Sequence, residues 1–305
     1  QVGRDRLCWA EVCAQIPRWN SNSKLPFNLS RILGSVLVQT SRRRLRVYDA
    51  DHKMPPLRPY LVDTFTHLRF AHEKAKLDLR ASHKNTWFGR IWNILNPLLL
   101  ALVYWLLVVV IFGSGGSIFD LAGLRVLAQI VAGLFLFSLP SAALSLGARS
   151  IIGGGSFVLN TRLPRMILPI AAVDSALLTL WPSLAVYLLF HAAAEFPFSI
   201  QMLWVLPIVT VLTIISIGLS MIAATLTVFF RDIASFLPYL LRIWMYLTPV
   251  IFTYDRIPDS LQWGIYLNPI GCIFSIWQQV LFEARFPDTH FLIISLFWTF
   301  FTPIV

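Results

Sequence analysis

Charge is scarce in this sequence. Of its 305 residues only 13% are Asp, Glu, Lys or Arg, about half the share usual in soluble domains, while 57% belong to the hydrophobic set and mean hydropathy is +0.68. A soluble globular domain is thereby excluded. Cysteine is also sparse: Cys8, Cys13 and Cys272 have neither CxxC nor metal-ligand spacing, which leaves no disulfide framework and no zinc site. The glycine clusters Gly113 to Gly116 and Gly153-Gly154-Gly155 lack the Lys of GxxxxGK[ST], so neither is a phosphate loop and no nucleotide-binding motif is present. Paired carboxylates and a Ser-His-Asp set in a plausible cavity are missing as well, which speaks against an enzyme.

What the chain does have is apolar length, which makes it an all-α polytopic membrane protein. Apolar runs at about Ile94 to Phe112, Val126 to Ala148, Met166 to Phe190, Met202 to Phe230 and Ile233 to Val250 are long enough to cross hydrocarbon. The third is expected to be broken by Pro169 and Pro182. A sixth begins at Phe291 and stops at Val305 after about 22 Å of helix, so the sequence reads as a fragment lacking the end of its last span. Residue 1 is Gln rather than Met, in keeping with that. Between the fifth and sixth runs, a short piece opened by Pro258 and the run Ile270 to Phe282 after Pro269 are each too short to cross. They are expected as interfacial or re-entrant helices at the outer mouth, giving six spans in all.

The net charge of +10 is unevenly placed. Residues 1 to 90 carry 17 Lys and Arg against 7 Asp and Glu, and residues 91 to 305 carry 8 of each, so the whole excess lies ahead of the first span. Three regions follow: a basic, disordered arm over 1–60, an amphipathic interfacial helix over 61–90, and a transmembrane domain over 91–305. In the second, Phe65, Leu68, Ala75 and Leu79 recur at near-helical spacing among Arg and Lys, which suits a membrane surface. His67, His72 and His83 share no metal-binding face and are expected to be solvated. A basic arm also suits nucleic acid, but no nucleic-acid motif accompanies it. Lys and Arg near span ends number ten on one side, from Arg69 to Arg231, against Arg125, Arg256 and Arg285 on the other, which predicts a cytoplasmic N-terminus.

The stretch Leu226 to Pro269 organises the rest. Two spans joined only by the Arg231-Asp232 turn form an antiparallel hairpin. On its second arm Ser235, Tyr239, Arg242 and Tyr246 fall at i, i+4, i+7 and i+11, on one helical face. A polar-aromatic stripe within a membrane faces protein or water. It is either buried interhelical packing or a path for a substrate with sugar rings and phosphates: aromatic faces suit sugar C–H groups, and Arg offers bidentate donors to phosphate. Asp174, on the third span, and Arg242 lie at similar depth, about 13 to 15 Å from the cytoplasmic side. They are expected to pair, within or between subunits, in the resting state, with Arg242 released to a substrate phosphate in transport; failing that, Arg242 snorkels along its own helix and Asp174 hydrogen-bonds locally.

Asn85-Thr86-Trp87-Phe88-Gly89 through Trp92, Leu95 and Pro97, then Leu163-Pro164-Arg165 through Pro169, then Phe230-Arg231-Asp232, Tyr246-Leu247-Thr248-Pro249-Val250-Ile251 and Leu267-Asn268-Pro269, resemble ABC-transporter permeases that export lipid-linked polysaccharides such as O antigen, teichoic acid and galactan. The resemblance spans about residues 60 to 305. It implies a homodimer of six-span subunits in the cytoplasmic membrane and a separate ABC ATPase subunit that binds ATP and Mg, with no cofactor on this chain. Carried onto this sequence, it implies a gate and interface at Trp87, Trp92 and Pro97, ATPase coupling at Arg149, Arg162, Pro164, Arg165, Arg231 and Asp232, and an outer gate at Pro249, Asn268 and Pro269. Asp174 and Arg242 match no family motif, so their place on the translocation path rests on this sequence. The basic loop 149–165 either docks the ATPase or merely obeys the positive-inside rule. A small-molecule or drug exporter of similar architecture, and an integral-membrane enzyme acting on polyprenyl-phosphate lipids, are the competing functions.

Overall fold

The computed structural model describes residues 57–82, 89–112, 121–160, 163–254 and 257–304, within one compact unit, Pro55–Val305. Most of the arm 1–60, together with His83, Trp87, Arg162 and Arg256, lies outside the described residues. Every regular element described is helical: α1 (Leu57–Thr66), α2 (Leu68–Ala81), α3 (Trp92–Phe112), α4 (Leu121–Asn160), α5 (Ile167–Ala193), α6 (Val205–Phe229), α7 (Ile233–Leu247), α8 (Trp263–Leu267), α9 (Gly271–Phe282) and α10 (Thr289–Ile304). Three stretches, Leu121–Gly155, Ile167–Ala193 and Ile200–Phe229, are long and apolar enough to cross a membrane, and Trp92–Leu107, Ile233–Leu247, Gly271–Leu281 and Thr289–Ile304 form shorter apolar helices.

The core forms around α4. Its residues 130 to 137 are all buried, with Ala132, Phe135 and Leu136 at 0% exposure, because α5 and α6 pack against it on separate sides. Lipid tails are as apolar as Leu, so close helix contact here needs small residues that let backbones approach. Gly147 of α4 lies against Ser220 of α6, and Gly218 of α6 against the Thr302 backbone of α10. Several hydroxyls of α6 are satisfied from within the helix: Thr213, Ser216 and Thr227 donate to the carbonyls of Val209, Leu212 and Ala223, four residues back.

Several boundaries differ from the sequence expectation. The span predicted to end at Ala148 continues as helix to Asn160, so Arg149 sits on α4 rather than in a loop. Gly153 and Gly154 are tolerated by the helix, and the turn comes as a kink at Gly155 (φ 26°), a backbone angle open to glycine alone at little cost. Nor do Pro169 and Pro182 break α5, which runs from Ile167 through both. Pro169 stands in the first turn, where a missing N–H costs nothing, and Pro182 forfeits one backbone bond inside a helix fixed by its neighbours. The interfacial segment is two helices rather than one, parted at His67, and helix begins at Leu57, ahead of the expected boundary at residue 60.

After α7 the chain turns back through Asp259–Leu261 and α8 into α9, whose residues 271 to 281 are all buried. A helix apolar on every side belongs inside a bundle. At 12 residues it is about 18 Å long, short of a crossing.

Candidate functional site

α7 buries only one narrow stripe, Leu237, Leu241 and Met245, against the rest of the chain. The opposite side is open: Ser235, Tyr239, Arg242 and Tyr246 are all exposed, as their shared face requires, with Tyr239 at 66% and Tyr246 at 49%. Packing within one chain does not cover this face. At its far end the Tyr246 hydroxyl meets that of Tyr104 on α3 at 2.7 Å, with the rings edge to face at 6.2 Å. Arg242 lies close enough to Tyr104 to act on it electrostatically. Tyr104 was not singled out in the sequence; a phenol alone in the apolar run Ile94 to Phe112 was the signal available for it.

Asp174 is elsewhere. Its carboxylate takes His72 Nδ1 of α2 at 2.6 Å, in place of the Arg242 partner expected, and lines a cavity of about 210 Å³ bounded by α2, α5 and α6. His72 is correspondingly a partner rather than a solvated side chain. The reason is local: Ala71, with Phe70 beside it, brings α2 onto Ile167 and Ala171 of α5, and that puts His72 within reach. α1 adds a further link, with the Met166 N–H donating to the Tyr60 hydroxyl at 3.4 Å. The apolar side chains Phe65 and Leu77 stay exposed, and Leu68, partly open, stands at the wall of the cavity.

The residues expected to couple to an ATPase lie at the start of α5 and where α4 approaches the start of α7. Arg149 is exposed and donates from Nη2 to the carbonyl of Ala234 at 3.3 Å, which ties the extended α4 to the turn carrying Arg231 and Asp232, both exposed. Pro164 is buried and accepts the Ile167 N–H at 3.1 Å, starting α5, while Arg165 beside it is exposed. Trp92 opens α3 and is partly buried, as is Pro97 within its early turns.

The outer-gate residues form a polar knot that motif matching did not foresee. Asn268 is 8% exposed; its Oδ1 accepts from Trp244 Nε1 at 2.9 Å and from the Ile270 N–H at 3.2 Å, and its Nδ2 donates to Thr248 Oγ1 at 2.8 Å. Gln278 of α9 donates to the carbonyls of Pro249 and Phe252 at 2.8 and 2.9 Å. Pro249 is buried and Pro269 half-buried beside them. Because α7 ends at Leu247, the loop that follows needs partners, and these two amides supply them, while the Thr248 hydroxyl takes the Trp244 carbonyl at 2.9 Å. Asn268→Leu leaves the buried Trp244 and Ile270 N–H groups without acceptors, at about 1–3 kcal/mol each. The apparent melting temperature in detergent is therefore expected to fall by about 5 °C or more, whereas Leu267→Ala, at a neighbour 63% exposed, should leave it unchanged. Equal melting of both variants would mean that the knot contributes nothing.

Comparison with known proteins adds a family to this geometry. A family model described as ABC-2 type transporter matches residues 76–282. The chain is 26% identical over 208 residues, 68% of its length and 78% of the relative's, to an O-antigen export system permease protein RfbA of Klebsiella pneumoniae. It is 27% identical over 216 residues, 70% of its length and 80% of the relative's, to a protein of the same name from Myxococcus xanthus.

Proposed function

The chain belongs to the ABC-2 type transporter family, and from that premise we propose that it is the permease subunit of an ATP-driven exporter of a lipid-linked polysaccharide. It is a multi-pass protein of the cell membrane. The observation that carries the substrate class is the similarity to O-antigen export permeases over two thirds of the chain. In this reading α3, α4, α5, α6, α7 and α10 are the six spans, with α8 and α9 re-entrant at the outer face and the N-terminus cytoplasmic. The exposed Phe65, Leu68 and Leu77 then rest in the cytoplasmic membrane surface. The open α7 face becomes the translocation path once a second copy stands opposite, since an Arg and two Tyr turned to bare lipid would be costly. ATP and Mg belong to a separate ABC ATPase, which docks on Arg149, Arg162, Pro164, Arg165, Arg231 and Asp232, and the chain itself takes no cofactor.

Deleting the gene tests this. Polysaccharide is expected to vanish from the cell surface while its lipid-linked form accumulates inside, and a plasmid copy should restore export only beside an intact ATPase. Unchanged surface polysaccharide with raised sensitivity to small toxic compounds would favour a drug exporter instead. Arg165→Glu combined with Arg231→Glu should strip the ATPase from the purified permease, and full copurification would remove these residues from the interface.

A further inference from the structure

We propose that Asp174 is a positioning residue: through His72 it latches helix α2 onto α5 and so sets the angle of the interfacial segment against the third span.

Apolar packing of α2 against α5 is narrow: Ala71, 1% exposed, meets Ile167 and Ala171, with the partly buried Phe70 at the margin of that cluster. In a membrane, moving a methyl from lipid to protein gains little. Beyond Ala71 the wedge between α2, α5 and α6 is unfilled, a cavity of about 210 Å³ with Leu68, Leu177 and Ile217 on its walls. Its polar lining is His72, Asp174 and Thr213, and the Thr213 hydroxyl is already spent on the Val209 carbonyl at 2.7 Å.

The His72 Nδ1 to Asp174 Oδ2 contact at 2.6 Å bridges this wedge, between residues 102 apart in sequence. Asp174 is the one Asp, Glu, Lys or Arg within α5, so a carboxylate here has nothing on its own helix to pair with. A polar group at such a site needs a partner, and the His72 ring nitrogen is the one within hydrogen-bond reach. Two of the cations on α2 are engaged along that helix: Lys74 holds Asp78 at 2.5 Å and Lys76 holds Glu73 at 3.2 Å. Asp174 is 23% and His72 43% exposed, so the outer edge of the imidazole remains accessible and the latch can open without unpacking the bundle. An interhelical hydrogen bond of this kind shifts a docking equilibrium by about three- to twentyfold.

The consequence for export rests on the function proposed above, but the latch can be tested without it. Hydrogen exchange of residues 68–81 is measured in the purified permease. Asp174→Ala and His72→Ala are each expected to speed exchange there by about three- to twentyfold, with the double variant no faster than either single one. His72→Asn keeps a neutral donor and should retain most protection, which separates loss of the latch from loss of the fold. The reciprocal exchange, His72→Asp with Asp174→His, should restore it. Single variants with wild-type exchange, additive effects in the double, or no recovery in the swap would each overturn the latch. Faster exchange of α2 with export intact would support the latch and count against α2 as a gate in transport.

Discussion

Arg242→Ala is expected to abolish export while the permease still folds, dimerises and binds its ATPase. Arg242 is exposed and lies off the stripe Leu237, Leu241 and Met245 that fixes α7, so its removal takes nothing from the packing of the chain. It stands ten residues beyond Asp232, about 15 Å along the helix. An unpaired charge at that depth costs about 2.5–3.5 kcal/mol on insertion scales, which a passing phosphate would offset. Losing charge-assisted bonds worth about 1.5–3 kcal/mol each slows passage by about tenfold to more than a hundredfold. Arg242→Lys keeps the charge but not the fork that grips two oxygens, and should fall between. Tyr246→Phe loses only the bond to Tyr104 and should cost less than either. The measurement is surface polysaccharide together with ATPase activity of the purified complex; normal export by Arg242→Ala would remove Arg242 from the path.

Much of this architecture was legible in the sequence because hydrocarbon imposes a length. The run Ile94 to Phe112 became α3 from Trp92 to Phe112, and Met202 to Phe230 became the helical stretch from Ile200 to Phe229. The α7 face was equally legible, since helical period alone puts Ser235, Tyr239, Arg242 and Tyr246 on one side, and one stripe cannot be both buried and open. The extension of α4 to Asn160 was not, because Ser and Gly are poor helix formers in isolation and only the packing of α4 against α6, through pairs such as Gly147 and Ser220, sustains the helix towards them. His72 with Asp174 was hidden for another reason. No periodicity links residues 102 apart, and depth reckoned along each span pointed Asp174 at Arg242 instead of at a helix ahead of the first span. Asn268 was flagged by a motif, yet its work in binding Trp244, Thr248 and Ile270 became visible only once α7 was seen to end at Leu247.

Gly133→Ala is expected to be the most damaging single-methyl change in the described bundle. Gly133 sits midway along α4, where the stretch after α7 crosses it. A β-carbon there would lie inside the contact radius of the Val250 carbonyl oxygen, 3.0 Å from its carbon and 3.2 Å from Val250 Cα. Because the opposing atoms are backbone, no rotamer change relieves the clash. Nor can the strand of chain retreat, for Thr248 is held by Asn268, and the Pro249 and Phe252 carbonyls by Gln278. Overpacking of this kind costs about 1–3 kcal/mol, and each buried hydrogen bond broken to make room adds about 1–3 more. The variant should therefore melt well below the parent. Gly153→Ala is the matched control: it lies on the same helix, a β-carbon there meets nothing within 4 Å, and removing a helix-interior glycine should leave stability equal or raise it by about 0.5–1 kcal/mol. If Gly133→Ala melts like Gly153→Ala, the backbone of residues 248 to 252 does not rest on α4.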